Sequence, residues 1–250
     1  MNEYDNPFPI LYHTHHQNFS EDIPFWQSLA RWQGNPILEL GCGTGRVLLP
    51  LSQAGHTVYG IDNSPDMIAF LKQQITPDLE PNISIINGDI TNFNLDAKFR
   101  LIILPCNTYS TFDSSTRAGM LTCIFNHLAP GGVFGVSMPN PNLLLALEES
   151  TAEPILETIF NHPETGFPVQ VNNKWERKGD VLTFIWHYDH LLPNGKIERL
   201  TASNHHHLTP VEQYITEMLT IGFTIRSTYR NFETGPYNPD SNYLIILAQK

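Results

Sequence analysis

Hydrophobic and polar positions follow two rhythms along this chain, and the change between them falls near residue 140. Before it, apolar runs at about 36–41, 57–62, 83–87, 99–104 and 131–138 read as strands, while segments at about 45–54, 64–75 and 114–128 repeat their apolar positions at helical spacing. A helix is also expected over 20–32, with Phe25, Trp26, Leu29 and Trp32 on one face. Strands alternating with helices predict an α/β, doubly wound, mostly parallel sheet whose ligand crevice lies at the carboxyl ends of its strands. After Pro139-Asn140-Pro141, segments 153–161, 167–177, 181–192 and 196–208 alternate apolar and polar residues and are rich in β-branched and aromatic side chains, with turns at 162–166, 178–180 and 193–195. They read as an inserted antiparallel β-sheet. A helix from Thr209-Pro210 to about Thr220, then strands at 221–225 and 243–248, return to the first sheet and bring it to seven strands, the last antiparallel. Three parts follow: a helical N-terminal cap over 1–34, the main unit over 35–140 and 209–250, and the insert over 141–208.

The first strand runs into the most informative segment, Ile37-Leu38-Glu39-Leu40-Gly41-Cys42-Gly43-Thr44-Gly45. Glycines at alternate positions let a ligand approach the main chain without an intervening side chain. A dinucleotide fingerprint, G-x-G-x-x-G, would need its third glycine at position 46, which is Arg, and the Glu39 carboxylate would repel a pyrophosphate. The same carboxylate suits the ammonium group of an amino-acid moiety.

The E-x-G-x-G-x-G pattern closely resembles the first motif of class I S-adenosylmethionine-dependent methyltransferases, and three later segments match in order. Val58-Tyr59-Gly60-Ile61-Asp62 is a strand ending in an acid that can accept both ribose hydroxyls, and Asn63-Ser64-Pro65-Asp66-Met67 then opens a helix with Ser64 as cap. Ile85-Ile86-Asn87-Gly88-Asp89-Ile90 again closes a strand on an acid, and Pro105-Cys106-Asn107-Thr108-Tyr109 follows the fourth. The resemblance implies a Rossmann-like sheet with S-adenosylmethionine as cofactor. It implies that Glu39, Gly41, Cys42, Gly43 and Gly45 surround the methionine end, that Asp62 holds the ribose, and that Asn63, Met67, Asp89 and Ile90 line the adenine pocket. Pro105 and Cys106 then lie where the methionine tail meets the acceptor. Arg46 is either a partner for the methionine carboxylate or an exposed first-turn arginine. The order of elements resembles bacterial small-molecule methyltransferases, including amino-sugar N,N-dimethyltransferases, so the implied acceptor is a small molecule, with nitrogen ahead of oxygen.

Composition narrows the partners. The 250 residues carry 14 Lys and Arg against 25 Asp and Glu, a net charge of −11, which argues against a nucleic acid as acceptor. Three cysteines without paired spacing are expected as reduced thiols in a cytoplasmic protein. No signal peptide is expected at Met1-Asn2-Glu3-Tyr4-Asp5, and no apolar run is long enough to span a membrane. The edges of the insert are candidates for a homodimer contact.

Methyl transfer is an in-line displacement in which the protein chiefly aligns donor and acceptor. Candidate groups for the acceptor's proton are Tyr12 and His13 near the N-terminus, Asn107 and Tyr109 after the fourth strand, and His205 in the insert. In the resembled family an N-terminal tyrosine often closes over the cofactor; Tyr12 matches by position, the alternative being simple packing of its helix. A two-residue hairpin loop at Asn194-Gly195 would set Trp186 opposite Ser203, Phe184 opposite His205 and Leu182 opposite His207. His205 and His207 would then share the face of Phe184, Trp186 and Tyr188, as packing or as a substrate wall. No metal site is expected, since His187 and His190 point to opposite faces and His190 would lie roughly 20 Å from His205 at about 3.3 Å per residue. The rival functions are O-methyl transfer, a nicotinamide-dependent oxidoreductase, and a non-catalytic S-adenosylmethionine-binding protein.

Overall fold

The computed structural model describes residues 6–250; the first five residues of the expected cap, and with them the segment read for a signal peptide, lie outside it. Helices α1 (Phe8–His16) and α2 (Ile23–Gln33) come first. Then β1 (Ile37–Leu40), α3 (Leu48–Gln53), β2 (Val58–Asp62), α4 (Pro65–Gln74), β3 (Ile83–Asn87), β4 (Phe99–Leu104), α5 (Ser114–His127) and β5 (Leu128–Pro139) alternate as the periodicity predicts. A short helix α6 (Pro141–Ala146), which the strand-like reading of this region does not anticipate, leads into β6 (Ile155–Asn161), β7 (Pro168–Lys178), β8 (Val181–Leu191) and β9 (Ile197–His207). Helix α7 (Val211–Ile221) and strands β10 (Thr224–Tyr229) and β11 (Tyr243–Gln249) follow.

The larger sheet has seven strands in the order β10-β11-β5-β4-β1-β2-β3, with β11 antiparallel to both neighbours and the other pairs parallel. It is the Rossmann-like arrangement that the alternation of strands and helices leads one to expect. Side chains alternate across β4: Leu101 and Ile103 join Phe25, Trp26, Leu48 and Leu51 on one face, while Ile102 and Leu104 join Met120, Leu121, Tyr214 and Met218 on the other. Both faces are therefore covered, and the central strands read as unbroken apolar runs. Helix starts follow their caps: Ser64 Oγ accepts from Met67 N at 3.3 Å, with Pro65 as the first helical residue, and Asp113 accepts from Thr116 N at 2.7 Å. Trp32 departs from the expected buried face of α2 and is 88% exposed in the helix's last turn, whereas Phe25, Trp26 and Ala30 are buried.

Successive strands pair in the four-stranded antiparallel sheet, order β6-β7-β8-β9. A separate cluster of Leu11 from α1 with Val169, Val171 and Tyr188 attaches this sheet to the N-terminal helix. Among the described residues no helix is long and apolar enough to cross a membrane.

Candidate active site

Strand order reverses between β1 and β4, so a crevice opens at their carboxyl ends. Gly41, Gly43 and Gly45 all take positive φ, at 67°, 50° and 86°, so the turn after β1 uses backbone that side-chain-bearing residues rarely adopt. The three glycines do different work. A Cβ at Gly45 would collide with Leu71 and Leu49, which makes this glycine a packing requirement, whereas a Cβ at Gly43 would meet nothing nearer than the Asp62 carboxylate at 4.0 Å. Asp62 braces the turn, accepting from Gly43 N at 2.7 Å and from Ser64 N at 2.9 Å, one bond to each carboxylate oxygen. Each oxygen keeps a lone pair for a further donor.

Glu39 sits at the floor of the crevice, 3% exposed, and its Oε2 has no hydrogen-bond partner. Burial pushes its carboxyl well above the usual carboxylate range, outweighing the opposing pull of the Arg46 guanidinium. Tyr12, His13, His16 and Gln17 of the N-terminal segment form one wall and Pro105, Cys106 and Thr108 the other. Tyr12, His13 and His16 are at helix spacings of one and three, which places all three toward the crevice; this periodicity was available in the sequence, yet His16 escaped notice there. Burial, and then the neighbouring His15, lowers the His16 imidazole to about 4, so it is neutral at physiological pH. His13 Nδ1 lies 3.2 Å from Thr44 Oγ1, tying the wall to the glycine turn.

Asn63 and Asp89 are exposed while Met67 and Ile90 are buried, all four beyond the carboxyl ends of β2 and β3. The Asp89 carboxylate accepts from both the backbone and the hydroxyl of Thr91, at 2.8 and 2.7 Å, which closes the turn after β3. Arg46 is neither exposed nor free to take a ligand carboxylate as its main partner. Its two terminal nitrogens bond both oxygens of buried Asp22 at 2.7 Å, and one also reaches Cys106 Sγ at 2.9 Å. The bidentate pair is satisfied within the protein, and Trp26 Nε1 donates to the same carboxylate at 3.1 Å.

Residues 37–132, from the start of β1 to the turn opening β5, match a family model described as a methyltransferase domain. Over that segment, which contains the glycine turn, Asp62 and Asp89, the chain is similar to methyltransferase domains. Along 90% of its length the chain is 24% identical to YqeM of Bacillus subtilis (strain 168), provisionally assigned as a methyltransferase, and the match covers 88% of that protein. Its fold is similar to that of an S-adenosylmethionine-dependent methyltransferase from Clostridium acetobutylicum ATCC 824, with a TM-score of 0.78 at 16% identity over 98% of this chain and 99% of that one. The sugar N-methyltransferase KedS8 from Streptoalloteichus sp ATCC 53650 superposes with a TM-score of 0.77 at 17% identity, over 100% of this chain and 96% of that one.

The inserted sheet packs against α1 and against Ser110 in the turn after β4, and here two expectations are corrected. The β8–β9 hairpin closes through three residues, 193–195, with Leu192 N bonded to Lys196 O at 2.9 Å and Gly195 at φ 79°. The extra loop residue shifts the register by one, so Leu182 pairs with His206, Phe184 with Asn204 and Trp186 with Ala202. Every β9 side chain therefore changes face. His205 is exposed, with Nδ1 2.9 Å from Thr183 Oγ1, and does not approach the crevice. His206 takes the inward place instead: it is 2% exposed, its ring meets Phe184 edge-on at 5.6 Å, and its Nδ1 lies 2.9 Å from Ser110 Oγ. Tyr109 is likewise withdrawn from the site, fully buried against Tyr214 and Phe134 in the core, while Asn107 is exposed between the crevice-lining Cys106 and Thr108.

Proposed function

We propose that the crevice holds S-adenosylmethionine with its ammonium group against Glu39, its ribose on Asp62 and its adenine between Asn63, Met67, Asp89 and Ile90, and that the acceptor is a small molecule methylated on nitrogen. The unpartnered buried oxygen of Glu39 carries this reading, since an ammonium group supplies both the missing hydrogen bond and the counter-charge. Gly41 and Gly43 admit the methionine backbone, Cys42 and Gly45 shape the turn behind it, and Pro105 and Cys106 border the sulfonium. Arg46 serves this site by fixing Asp22 and Cys106 rather than by meeting the ligand carboxylate. Bound there, S-adenosylmethionine supplies an electrophilic methyl group; the residues orient it and keep water away. Tyr12 covers the bound cofactor, its ring face toward the positive sulfur.

The acceptor space lies between Tyr12 and His16, Asn107, and the half-buried rings of Phe184 and Trp186, which stack at 5.8 Å. Aromatic rings with imidazole and amide edges suit an uncharged ring-bearing amine, and the likeness of fold to a sugar N-methyltransferase supports the same class. Oxygen is the second choice of acceptor atom. Incubation with S-adenosylmethionine and a panel of amino sugars, other small amines, hydroxylated metabolites and carboxylic acids, read by mass spectrometry, tests this: an amine should gain a methyl group, and methylation confined to carboxylic acids would overturn the nitrogen assignment. We also propose a homodimer through the insert, supported by Ile155, Leu156 and Ile159, which are 47%, 54% and 57% exposed on edge strand β6. Light scattering of the purified chain at twice the monomer mass supports it, and monomer mass removes it.

A further inference from the structure

The join between α1 and the inserted sheet contains a polar chain inside an otherwise apolar cluster. His15 Nε2 lies 3.1 Å from Glu157 Oε1 on β6, and His15 Nδ1 lies 3.0 Å from the Tyr188 hydroxyl on β8. The other Glu157 oxygen accepts from Asn173 Nδ2 at 2.7 Å and Trp186 Nε1 at 2.9 Å. His15 and Tyr188 are buried at 5% and 2% exposure, beside Leu11, Val169 and Val171.

Hydrogen-bond logic orients this chain. Three donors converge on Glu157 and hold its carboxyl down at about 2, with the His15 bond the largest contribution, so it is an anion that can only accept. The proton of His15 therefore sits on Nε2, facing Glu157. In the neutral ring Nδ1 is then bare, and Tyr188 donates to it. With its own proton committed, the Tyr188 oxygen offers only lone pairs to whatever approaches. That oxygen lies behind the crevice wall: the His15 ring it bonds stacks at 4.2 Å on His16, which lines the crevice, and Tyr188 shares a face of β8 with Phe184 and Trp186.

We propose that Glu157, His15 and Tyr188 form a proton-accepting relay for methyl transfer, with the Tyr188 hydroxyl oxygen meeting the acceptor and the other two positioning and polarising it. The proposal rests on the cofactor reading above and narrows the substrate class to acceptors that carry a proton on the methylated atom. The acceptor nitrogen forms its bond to the methyl carbon as the methyl–sulfur bond breaks and that electron pair remains on sulfur. The nitrogen's proton passes to Tyr188 while the phenolic proton moves to Nδ1 of His15. Tyr188 stays neutral, the His15 imidazolium is balanced by Glu157, and the extra proton returns to water after product leaves. The titratable groups facing the relay are Tyr12 and His16 from α1, Glu157 from β6 and Tyr188 itself, with Arg46 the nearest fixed cation acting on His16. A carboxylate acceptor has no proton to give and gains nothing from this chain.

The test combines nitrogen NMR of the His15 ring with two conservative variants, Tyr188→Phe and Glu157→Gln. In the wild type Nε2 should carry the proton with Nδ1 a bare acceptor, and Glu157→Gln should weaken that preference. With an amine acceptor from the panel, Tyr188→Phe should lower kcat by about 10²-fold, the scale of general acid–base catalysis, while KM and calorimetric affinity for S-adenosylhomocysteine stay within about twofold. A proton on Nδ1 in the wild type, or a Tyr188→Phe kcat within about twofold of wild type alongside normal S-adenosylhomocysteine binding, overturns the relay and leaves a purely structural join. Failure of the wild type to bind S-adenosylhomocysteine overturns the cofactor reading itself, and is seen in the calorimeter before any variant is made.

Discussion

The two sheets hold their functional groups in different ways. In the seven-stranded sheet, β1 is paired on both sides and packed on both faces, so Glu39 and the glycine turn hang from backbone with no freedom to slip. Two of the contacts that hold the inserted sheet, His206–Ser110 and Tyr188–His15, stand on either side of Phe184 and Trp186 along β8, and those two rings are half-buried. The first arrangement suits a ligand whose shape does not vary. The second, two half-buried rings between side-chain contacts, suits the acceptor side of the proposed site.

Breaking the first region should cost most. Asp22→Ala would strand the Arg46 guanidinium, 15% exposed in its side chain, with its buried partner gone, and should lower unfolding free energy by about 3–5 kcal/mol in urea titration. Asp62→Ala removes the acceptor for Gly43 N and Ser64 N and, in the proposed site, for the ribose; at about 1.5–3 kcal/mol for a hydrogen bond to a charged group, affinity for S-adenosylhomocysteine should fall about 10²-fold in calorimetry. In the insert, His206→Ala leaves Ser110 facing a void and should cost about 1–3 kcal/mol, whereas His205→Ala on the outer face should stay within about 0.5 kcal/mol. Equal effects at the two histidines would erase the register shift.

Acid should separate the regions further. His16 and His206 are both held neutral by burial, at about 4 against an ordinary 6.5, so the unfolded chain binds their protons first and stability falls as pH drops from about 6.5 toward 4. Between pH 7 and 5 each should contribute a loss of about 1–2 kcal/mol, and His206→Ala should remove its share of that slope. Glu157 acts lower: its carboxyl at about 2 against 4.5 stabilises the join above about 4.5, and that stability is lost as pH falls toward 2.

Much of the larger sheet was legible in the chain because its signals are local. An apolar run, an acid at its end, a glycine turn and a capped helix start are each read within about ten residues, and Glu39, Asp62 and Ser64 stand where that reading leads. The insert's strands were equally visible, yet which histidine points inward depended on one loop residue, since a strand's side chains alternate with a period of two. Composition contains no sign of whether Pro193 belongs to the loop. Arg46 shows a different limit: its partner Asp22 is 24 residues away on the approach to another helix, and no spacing rule connects them. The same holds for His15, Glu157 and Tyr188, separated by 142 and 173 residues from the helix residue they meet.

The central claim is that Glu39 receives a cationic amino-acid moiety in a crevice built for S-adenosylmethionine. Calorimetric titration of the wild type and Glu39→Gln with S-adenosylhomocysteine, and separately with NAD, tests it most directly. The account predicts S-adenosylhomocysteine binding to the wild type, none of NAD, and at least about a tenfold weaker affinity in Glu39→Gln, the loss of one charge-assisted hydrogen bond. Binding of NAD, or an affinity for S-adenosylhomocysteine that Glu39→Gln leaves unchanged, would contradict it.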